Sequence, residues 1–306
     1  MKVCVVGCGA IGSLFAAHLA RLEAVEVYAY EIWAEHVQAI NDRGLKVSGR
    51  ADITARIKAT TRPDQIPKCD YGIVATKSIH TRTAIEQTAH LFGEKSAVCS
   101  VQNGVGNEEI LAEHVRYVIR GTTFPAGHVI EPGHVGFDIS GDTWIGPFEP
   151  TQTPMSMVEE LAATLTRAGM NTIAMKDARG AQWTKLIFNA ATNPVGALTR
   201  LHHAAATFFG PTGELFDALI DEGIAVARAL GIELHDDPRK MVQAGANAPG
   251  KHKASMLQDV EAGRRTEVDF MNGAIVQCGE KAGVPTPLNK ALWALVKGLE
   301  HSWTNP

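Results

Sequence analysis

The chain is poor in cysteine and aromatic residues and has no surplus of positive charge. Of its 306 residues, 6% are aromatic, and 29 Lys and Arg face 33 Asp and Glu for a net charge of −4. The cysteines are scattered, odd in number and never in a C-x-x-C pair: Cys4, Cys8, Cys69, Cys99 and Cys278. We therefore expect neither a disulfide framework nor a metal site. Without a basic excess to neutralise phosphates, nucleic acid is not an expected partner.

Long apolar runs are also missing. No stretch reaches the uninterrupted length of about 20 apolar residues that a membrane span requires. The N-terminus places Lys2 before an apolar run, as a signal peptide does, but Gly7, Gly9, Gly12 and His18 interrupt that run. We expect a protein of the reducing cytoplasm that has no membrane partner.

Residues 1–175 alternate short β-branched runs with helical patterns, which is the βαβ signature of a parallel sheet. The predicted strands are 2–6, 25–30, 52–58, 71–75, 97–101, 117–121, 143–146 and 171–174. The predicted helices are 10–22, 34–42, 81–91 and 155–168. The fold class is therefore α/β, beginning with a Rossmann-type dinucleotide-binding domain.

Residues 176–306 have a different pattern, because apolar residues recur at three- and four-residue spacing with almost no alternation. This predicts an all-helical second domain for substrate and catalysis. Its predicted helices are 180–192, 213–230, 238–244, 255–262, 266–282 and 287–302. Breaks are expected at Gly210-Pro211, Gly231, Gly250 and 283–285.

A glycine-rich turn follows the first predicted strand and opens the first predicted helix. It reads Gly7, Cys8, Gly9, Ala10, Ile11 and Gly12, a G-x-G-x-x-G match in its required context. The three glycines permit, in order, the tight turn, close approach of a pyrophosphate, and packing of helix on strand. The helix N-terminus adds free N–H groups and a positive dipole. These six residues are candidate cofactor ligands; the alternative is a turn that is merely rich in glycine.

Glu31 ends the second predicted strand, 19 residues after Gly12. An acid at this position accepts hydrogen bonds from the adenosine ribose hydroxyls and repels a 2′-phosphate. No Arg or Lys follows closely, so NADH is favoured over NADPH. The alternative is a solvated surface glutamate.

Two later strand ends carry polar residues where a doubly wound sheet binds ligands. Lys77 is suited to a phosphate or a substrate carboxylate, and Asn103 to the ribose of the nicotinamide. Each signal is weak alone, because loops are normally polar.

Lys185, Asn189 and Asn193 occupy positions i, i+4 and i+8 of an otherwise apolar helix, so they form one polar stripe. Buried polar groups need partners, and a 2-oxo acid would supply them. The Lys185 ammonium would donate to the ketone oxygen and then protonate the alkoxide that hydride transfer creates, while the two amides would bind carboxylate or hydroxyl oxygens. The alternative is a polar seam against another helix or subunit.

Ser255 and Asp259 share a helical face, where they suit a carboxylate and a hydroxyl of the substrate respectively. Glu267 is placed to orient Lys185 or to hold a ribose hydroxyl. The alternative has Ser255 capping its helix, while Asp259 and Glu267 pair with Arg264 or Arg265.

These motifs together resemble the ketopantoate reductase family over nearly the whole chain. The matching segments are GCGAIG from Gly7, ATK ending at Lys77, QNGVGN from Gln102, GTT from Gly121, IG at Ile145, KLIFNAATNP from Lys185, SMLQD from Ser255 and RTEVDFMNG from Arg265. The resemblance implies NADPH-dependent reduction of 2-dehydropantoate to D-pantoate in pantothenate synthesis, in a cleft between a Rossmann and a helical domain.

The resemblance also implies roles for individual residues. Lys185 becomes the general acid, and the substrate ligands become Asn189, Asn193, Ser255 and Asp259. The implied cofactor ligands are Gly7 to Gly12, Lys77, Asn103, Glu267 and, in the segment GTTFPA, Ala126.

This chain departs from the family pattern at two points. Glu31 stands where NADPH-dependent members have a basic residue, and Phe137 stands where the stretch P-G-x-V-x-H ends in histidine. The substrate expectation is therefore 2-dehydropantoate, with an NAD-dependent D-2-hydroxy-acid dehydrogenase for another branched or aromatic 2-oxo acid as the alternative. A non-catalytic nucleotide-binding protein is a third hypothesis. Long apolar C-terminal helices would suit a homodimer.

Overall fold

A computed structural model describes residues 1–247 and 253–304. The chain divides into two compact units. The first unit is Met1–Gln102 with Asn107–Ala178, and the second is Asn103–Gly106 with Arg179–Pro306. The predicted break at Gly250 and the last two residues of the predicted second domain lie outside the described residues.

The strands all belong to the first unit in the part of the chain that the structure describes. They are β1 Lys2–Val6, β2 Glu26–Tyr30, β3 Leu45–Gly49, β4 Ile53–Ala55, β5 Lys58–Thr60, β6 Cys69–Val74, β7 Phe92–Ser100, β8 Tyr117–Thr123, β9 Ala126–Glu131, β10 His134–Ile139, β11 Thr143–Pro147 and β12 Thr172–Ala174.

The α-helices occur in both units. Those of the first unit are α1 Ala10–Leu19, α2 Ala34–Arg43, α3 Thr81–Thr88, α4 Asn107–Ala112 and α5 Met155–Ala168. Those of the second unit are α6 Arg179–Thr199, α7 His203–Phe208, α8 Gly210–Ala229, α9 Pro238–Asn247, α10 Ser255–Glu261, α11 Asn272–Ala282 and α12 Pro287–Ser302. The expected α/β class, Rossmann-like with a helical C-terminal region, is confirmed.

The main sheet has eight strands in the order β12-β11-β8-β7-β6-β1-β2-β5. Its strands pair in parallel except for β11 against β8. Central β1 is buried on both sides, because Val3 and Val5 enter one hydrophobic cluster with α1 and α5, while Cys4 and Val6 enter another with α3 and α4. An unbroken apolar strand is what a sheet covered on both faces requires.

A second sheet in the first unit has four strands in the order β4-β3-β10-β9. The sequence patterns did not predict β3, β9 and β10, and the predicted strand 52–58 is wrong as one element. Its residues divide between β4, which pairs with β3, and β5, which pairs with β2. Much of β9 is exposed, so no regular alternation of apolar and polar residues marks it.

Helix α6 runs past the predicted end at Thr192 and continues through Pro194 to Thr199. A proline removes one helical hydrogen bond, but the residues beyond it, including Val195 and Ala197, are buried in the core of the second unit, and this packing sustains the helix. The predicted helix 266–282 is also interrupted, since a 3₁₀ turn over Val268–Phe270 precedes α11. The break expected at Gly210-Pro211 is found between α7, which ends at Phe208, and α8, which begins at Gly210 and whose start Pro211 favours.

Across residues 1–247 and 253–304, no helix is both long enough and apolar enough to cross a membrane.

Candidate active site

The glycine-rich turn connects β1 to α1, and its geometry depends on two of its glycines. Gly7 has φ +87°, a left-handed conformation that favours glycine, and a Cβ there would lie 2.5 Å from Thr76 Cγ2. A Cβ on Gly12 would lie 1.9 Å from the Gly7 carbonyl oxygen. Glycine at both positions therefore lets the helix start directly against the strand.

Gly9 has the opposite surroundings. It is the N-cap residue of α1, and a Cβ there would meet no atom within 4 Å. No side chain caps the helix, so the first N–H groups of α1 have no side-chain acceptor at the positive end of its dipole. Ala10 and Ile11 form the first turn of this helix. The turn fits the pyrophosphate of a dinucleotide, which needs backbone donors and close access.

Glu31 follows β2 and bonds to the glycine-rich turn. Its carboxylate accepts hydrogen bonds from the backbone N–H of Cys8, at 2.8 Å, and of Trp33, at 3.0 Å. Glu31 is half-buried, so it is not simply a solvated surface residue. Burial raises the pKa of the Cys8 thiol to about 12, which leaves this cysteine unreactive in the turn.

The loops after β6 and β7 lie beside the turn, since both strands continue the same parallel sheet. Lys77, half-buried, precedes a short 3₁₀ turn over Ser78–His80. The Gln102 amide donates to the Thr76 carbonyl and hydroxyl oxygens, each at 3.0 Å, and to the Thr81 hydroxyl at 2.7 Å. Gln102 therefore fixes the loop that carries Lys77, a role that sequence reasoning did not assign.

Two further predicted cofactor ligands follow strands of the main sheet, Ala126 after β8 and Asn103 after β7. Ala126 begins β9 of the four-stranded sheet, and a Cβ on the next residue, Gly127, would lie 3.6 Å from Leu14 Cδ1 of α1. Asn103 belongs to the second unit. There the Val105 N–H donates to the Phe270 carbonyl at 3.0 Å, and the Gln182 amide donates to the Gly104 carbonyl at 3.3 Å.

Lys185 lies on α6 in the second unit, with Asn189 and Asn193 one and two turns further along. Burial lowers the pKa of Lys185 to about 8, while the charge of Glu267 acts in the opposite direction. Asn189, Asn193 and Glu267 are each less than 10% exposed. Lys185 is half-buried, and the charge of the buried Glu267 acts on it.

The segment that carries Glu267 is fixed against α12. Glu300 accepts hydrogen bonds from the N–H and the hydroxyl of Thr266, both at 2.7 Å. Asp269 accepts from the indole of Trp293 at 2.7 Å and from the ammonium of Lys297 at 2.9 Å. Thr266, before Glu267, and Asp269, after it, are therefore both anchored to α12.

Ser255 and Asp259 lie on α10. Asp259 is buried and accepts from Arg264 Nε at 3.3 Å and Nη2 at 3.2 Å, which is the pairing that the structural alternative expected. Arg265 pairs with Asp269. The expectation in the same alternative that Ser255 caps its helix is wrong, because Ala254 is the N-cap of α10 and no side chain caps the helix. Ser255 is half-buried in the first helical position.

Among residues 1–247 and 253–304, no three His, Cys, Asp or Glu side chains are placed to hold a metal ion.

Family models match most of the chain. The model described as ketopantoate reductase PanE/ApbA matches residues 3–150, and the model of the C-terminal part of the same family matches residues 177–300.

Individual relatives match over the full length. A 2-dehydropantoate 2-reductase of Archaeoglobus fulgidus is 34% identical over 299 residues, which is 98% of each chain. A crystal structure of a PanE/ApbA family ketopantoate reductase from Ralstonia eutropha has a TM-score of 0.90 at 31% identity and covers 100% of both chains. D-mandelate dehydrogenase, solved with NADH and anilino(oxo)acetate, has a TM-score of 0.90 at 26% identity, covering 99% of this chain and 100% of its own.

Proposed function

The chain belongs to the ketopantoate reductase family, and on this premise we propose that it reduces 2-dehydropantoate to D-pantoate with a nicotinamide cofactor. The observation that carries the proposal is the half-buried Lys185 on the polar stripe of α6, acted on by the charge of the buried Glu267. Removing a lysine ammonium from water costs free energy and lowers its pKa. A pKa of about 8 suits Lys185 to proton transfer near neutral pH. We assign most cofactor contacts to the first unit, and the substrate chemistry, with the cofactor contacts of Asn103 and Glu267, to the second.

Lys185 has two tasks in the proposed reaction. When bound, the dihydronicotinamide supplies a hydride to the carbonyl carbon of the 2-oxo acid. The Lys185 ammonium donates a hydrogen bond to the carbonyl oxygen, stabilises the negative charge that develops there, and transfers its proton to give the hydroxyl group. The carboxylate of Glu267 keeps Lys185 protonated, because its charge raises the lysine pKa against the effect of burial.

The remaining assignments concern binding. Asn189 and Asn193 donate to oxygens of the substrate, and Ser255 and Asp259 bind its carboxylate and hydroxyl groups. Arg264 Nε and Nη2 both donate to Asp259 Oδ1, and this pairing orients the carboxylate that is proposed to accept from a substrate hydroxyl.

The cofactor assignments rest on the turn and its neighbours. Gly7, Cys8, Gly9, Ala10, Ile11 and Gly12 cradle the pyrophosphate, and further contacts come from Lys77, Asn103, Ala126 and Glu267. Glu31 accepts the adenosine ribose hydroxyls and disfavours the 2′-phosphate of NADPH, so we propose a preference for NADH. D-mandelate dehydrogenase, the structural relative solved with NADH, supports this preference by analogy.

Steady-state assays test the function. Purified protein is assayed with NADH and with NADPH against 2-dehydropantoate and a panel of branched and aromatic 2-oxo acids, by nicotinamide absorbance. The highest kcat/KM is expected for 2-dehydropantoate. A higher value for another acid would favour the D-2-hydroxy-acid dehydrogenase alternative, and cofactor binding without turnover of any acid would favour the non-catalytic one. Lys185→Ala, which should bind NADH normally and lose turnover, is the matched control.

The cellular setting is proposed from composition. The cysteines of the chain are all free, which suits the cytoplasm. A homodimer is also proposed, and light scattering on the purified protein tests it.

A further inference from the structure

Helix α6 contains a carbonyl group that lacks its usual helical donor. In an α-helix the carbonyl of residue i accepts from the N–H of residue i+4. For Ala190 that residue is Pro194, which has no N–H and whose ring crowds the carbonyl. Ala190 and Pro194 are both buried, so water is a poor substitute donor. The carbonyl lies between Asn189 and Asn193, the two residues assigned to the substrate.

Asn272 supplies the missing donor. Its side-chain Nδ2 donates to the Ala190 carbonyl at 2.8 Å and to Asn289 Oδ1 at 3.0 Å. Asn272 is fully buried, and its Oδ1 accepts no hydrogen bond within the described part of the chain. A buried amide oxygen without a donor costs free energy. The two hydrogen bonds that Asn272 Nδ2 donates offset this cost and fix the orientation of the amide.

The partners of Asn272 fix this orientation. Asn289 Nδ2 donates to Glu222 Oε2 at 2.8 Å, and the same carboxylate accepts from the N–H groups of Leu288, at 2.8 Å, and Asn289, at 3.0 Å, at the start of α12. Asn289 Oδ1 is thereby left to face Asn272. Hydrogen bonds thus run from Glu222 on α8 through α12 and α11 to the Ala190 carbonyl on α6.

The residue before Asn272 contacts the substrate stripe directly. Asn193 Nδ2 approaches Met271 Sδ at 3.6 Å. The start of α11 therefore touches α6 at two adjacent points, one at a backbone carbonyl and one at a side chain of the stripe.

We propose that Asn272 is a positioning residue for the reaction: by bonding the carbonyl that Pro194 leaves without a donor, it holds the part of α6 that presents Asn189 and Asn193 to the substrate. The inference rests on the proposed function. It concerns a residue that acts through α6 and touches neither substrate nor cofactor.

The test is a double-mutant cycle between two residues far apart in sequence. Asn272→Leu keeps the approximate size and removes the donor, and Asn272→Ala replaces it should leucine not fit. Pro194→Ala restores the N–H that the Ala190 carbonyl lacks. We expect Asn272→Leu to lower kcat/KM for the 2-oxo acid at least tenfold, with KM for NADH within twofold. Adding Pro194→Ala should recover most of that loss, since the carbonyl regains a donor.

Ser96→Ala is the control, because it removes a buried hydroxyl of the first unit that donates to the Cys69 carbonyl at 2.7 Å and accepts from the Gly93 N–H at 3.0 Å, outside the hydrogen-bonded chain that reaches Asn272. It should lower the midpoint of urea unfolding and leave kcat/KM within twofold. A merely structural role for Asn272 would make both variants lose stability without a selective effect on the 2-oxo acid.

The outcomes separate the two proposals. An active wild type in which Asn272→Leu keeps kcat/KM within twofold, or in which the losses of Asn272→Leu and Pro194→Ala simply add, overturns the inference and leaves the proposed function standing. A wild type that turns over no 2-oxo acid overturns the proposed function, and the positioning role with it.

Discussion

The Glu31 carboxylate accepts a 2.8 Å hydrogen bond from the backbone N–H of Cys8, the second residue of the glycine-rich turn. This contact places a negative charge beside the turn that is proposed to bind the dinucleotide. A 2′-phosphate near it would be repelled, whereas ribose hydroxyls would find an acceptor.

The first prediction follows from this charge. Glu31→Gln keeps an oxygen for the Cys8 N–H but removes the charge, so the ratio of kcat/KM for NADH to that for NADPH should fall by about tenfold or more, equivalent to about 1.4 kcal/mol. Glu35→Gln, four residues later on an exposed position of α2, should leave the ratio unchanged. An unchanged ratio in Glu31→Gln would show that another residue selects the cofactor.

The second prediction contrasts two glycines of the same turn. Gly12→Ala brings a Cβ against the Gly7 carbonyl, so it should destabilise the protein by about 1–3 kcal/mol or prevent folding, as overpacking does. Gly9→Ala meets no atom within 4 Å, so it should fold with nearly unchanged stability but bind NADH about tenfold more weakly. Thermal unfolding and NADH titration separate the two effects. Equal NADH affinity in Gly9→Ala and wild type would argue against pyrophosphate binding at this turn.

The third prediction concerns the pH dependence of reduction. Lys185 has to be protonated to act as the acid, and burial lowers its pKa to about 8. The kcat/KM for reduction should therefore be level below about pH 8 and fall tenfold per pH unit above it. Lys185→Ala should lower kcat by about 10²–10⁴-fold and abolish this limb.

Glu267→Gln extends the same measurement. Because the glutamate charge raises the Lys185 pKa, its removal should move the falling limb to lower pH. Glu261→Gln, on the surface of α10 and paired with Lys253, is the matched control and should not move it. A limb that stays in place in Glu267→Gln would contradict the orienting role of this residue.

The fourth prediction concerns acid stability of the first unit. His18 and His36 are both buried, and desolvation lowers the pKa of each below its ordinary value. The unfolded state therefore binds protons at a higher pH than the folded state. The two neutral imidazole rings contribute their full stabilisation of the folded state above the histidine pKa of the unfolded chain, about 6.5. This stabilisation is lost as the pH falls toward the lower pKa values of the two histidines in the folded protein.

Urea unfolding between pH 7 and 5 checks this sign. His36→Asn retains an acceptor for the Gly133 N–H, which bonds to His36 Nδ1 at 3.1 Å. It should reduce the slope of unfolding free energy against pH by at most about 1.4 kcal/mol per pH unit. His90→Asn, at an exposed position, should not change the slope. Equal slopes in wild type and His36→Asn would rule out His36 as a source of the acid sensitivity.

Much of the molecule is determined by local sequence. The bounds of α5 and α12 follow from periodicity, because buried faces repeat at fixed spacing along a helix, and those of β1 follow from a short continuous apolar run that ends at the glycine-rich turn. The positions of Gly7 and Gly12 predict a tight turn that the structure contains, and the i, i+4, i+8 spacing of Lys185, Asn189 and Asn193 predicts their common helix. These features depend on neighbours within a few residues, which the sequence displays directly.

Other features exist only through tertiary contacts. The four-stranded sheet forms because β3 pairs with β10, which lies far along the chain, although neither strand has a strong apolar–polar pattern of its own. The pKa of Lys185 depends on burial, which lowers it, and on the charge of Glu267, which raises it. The continuation of α6 through Pro194 is accompanied by the bond from Asn272, 82 residues from Ala190. The sequence by itself determined which chemical groups the chain carries and on which elements. Tertiary packing decided which groups meet, since desolvation and long-range hydrogen bonds depend on what is buried against what.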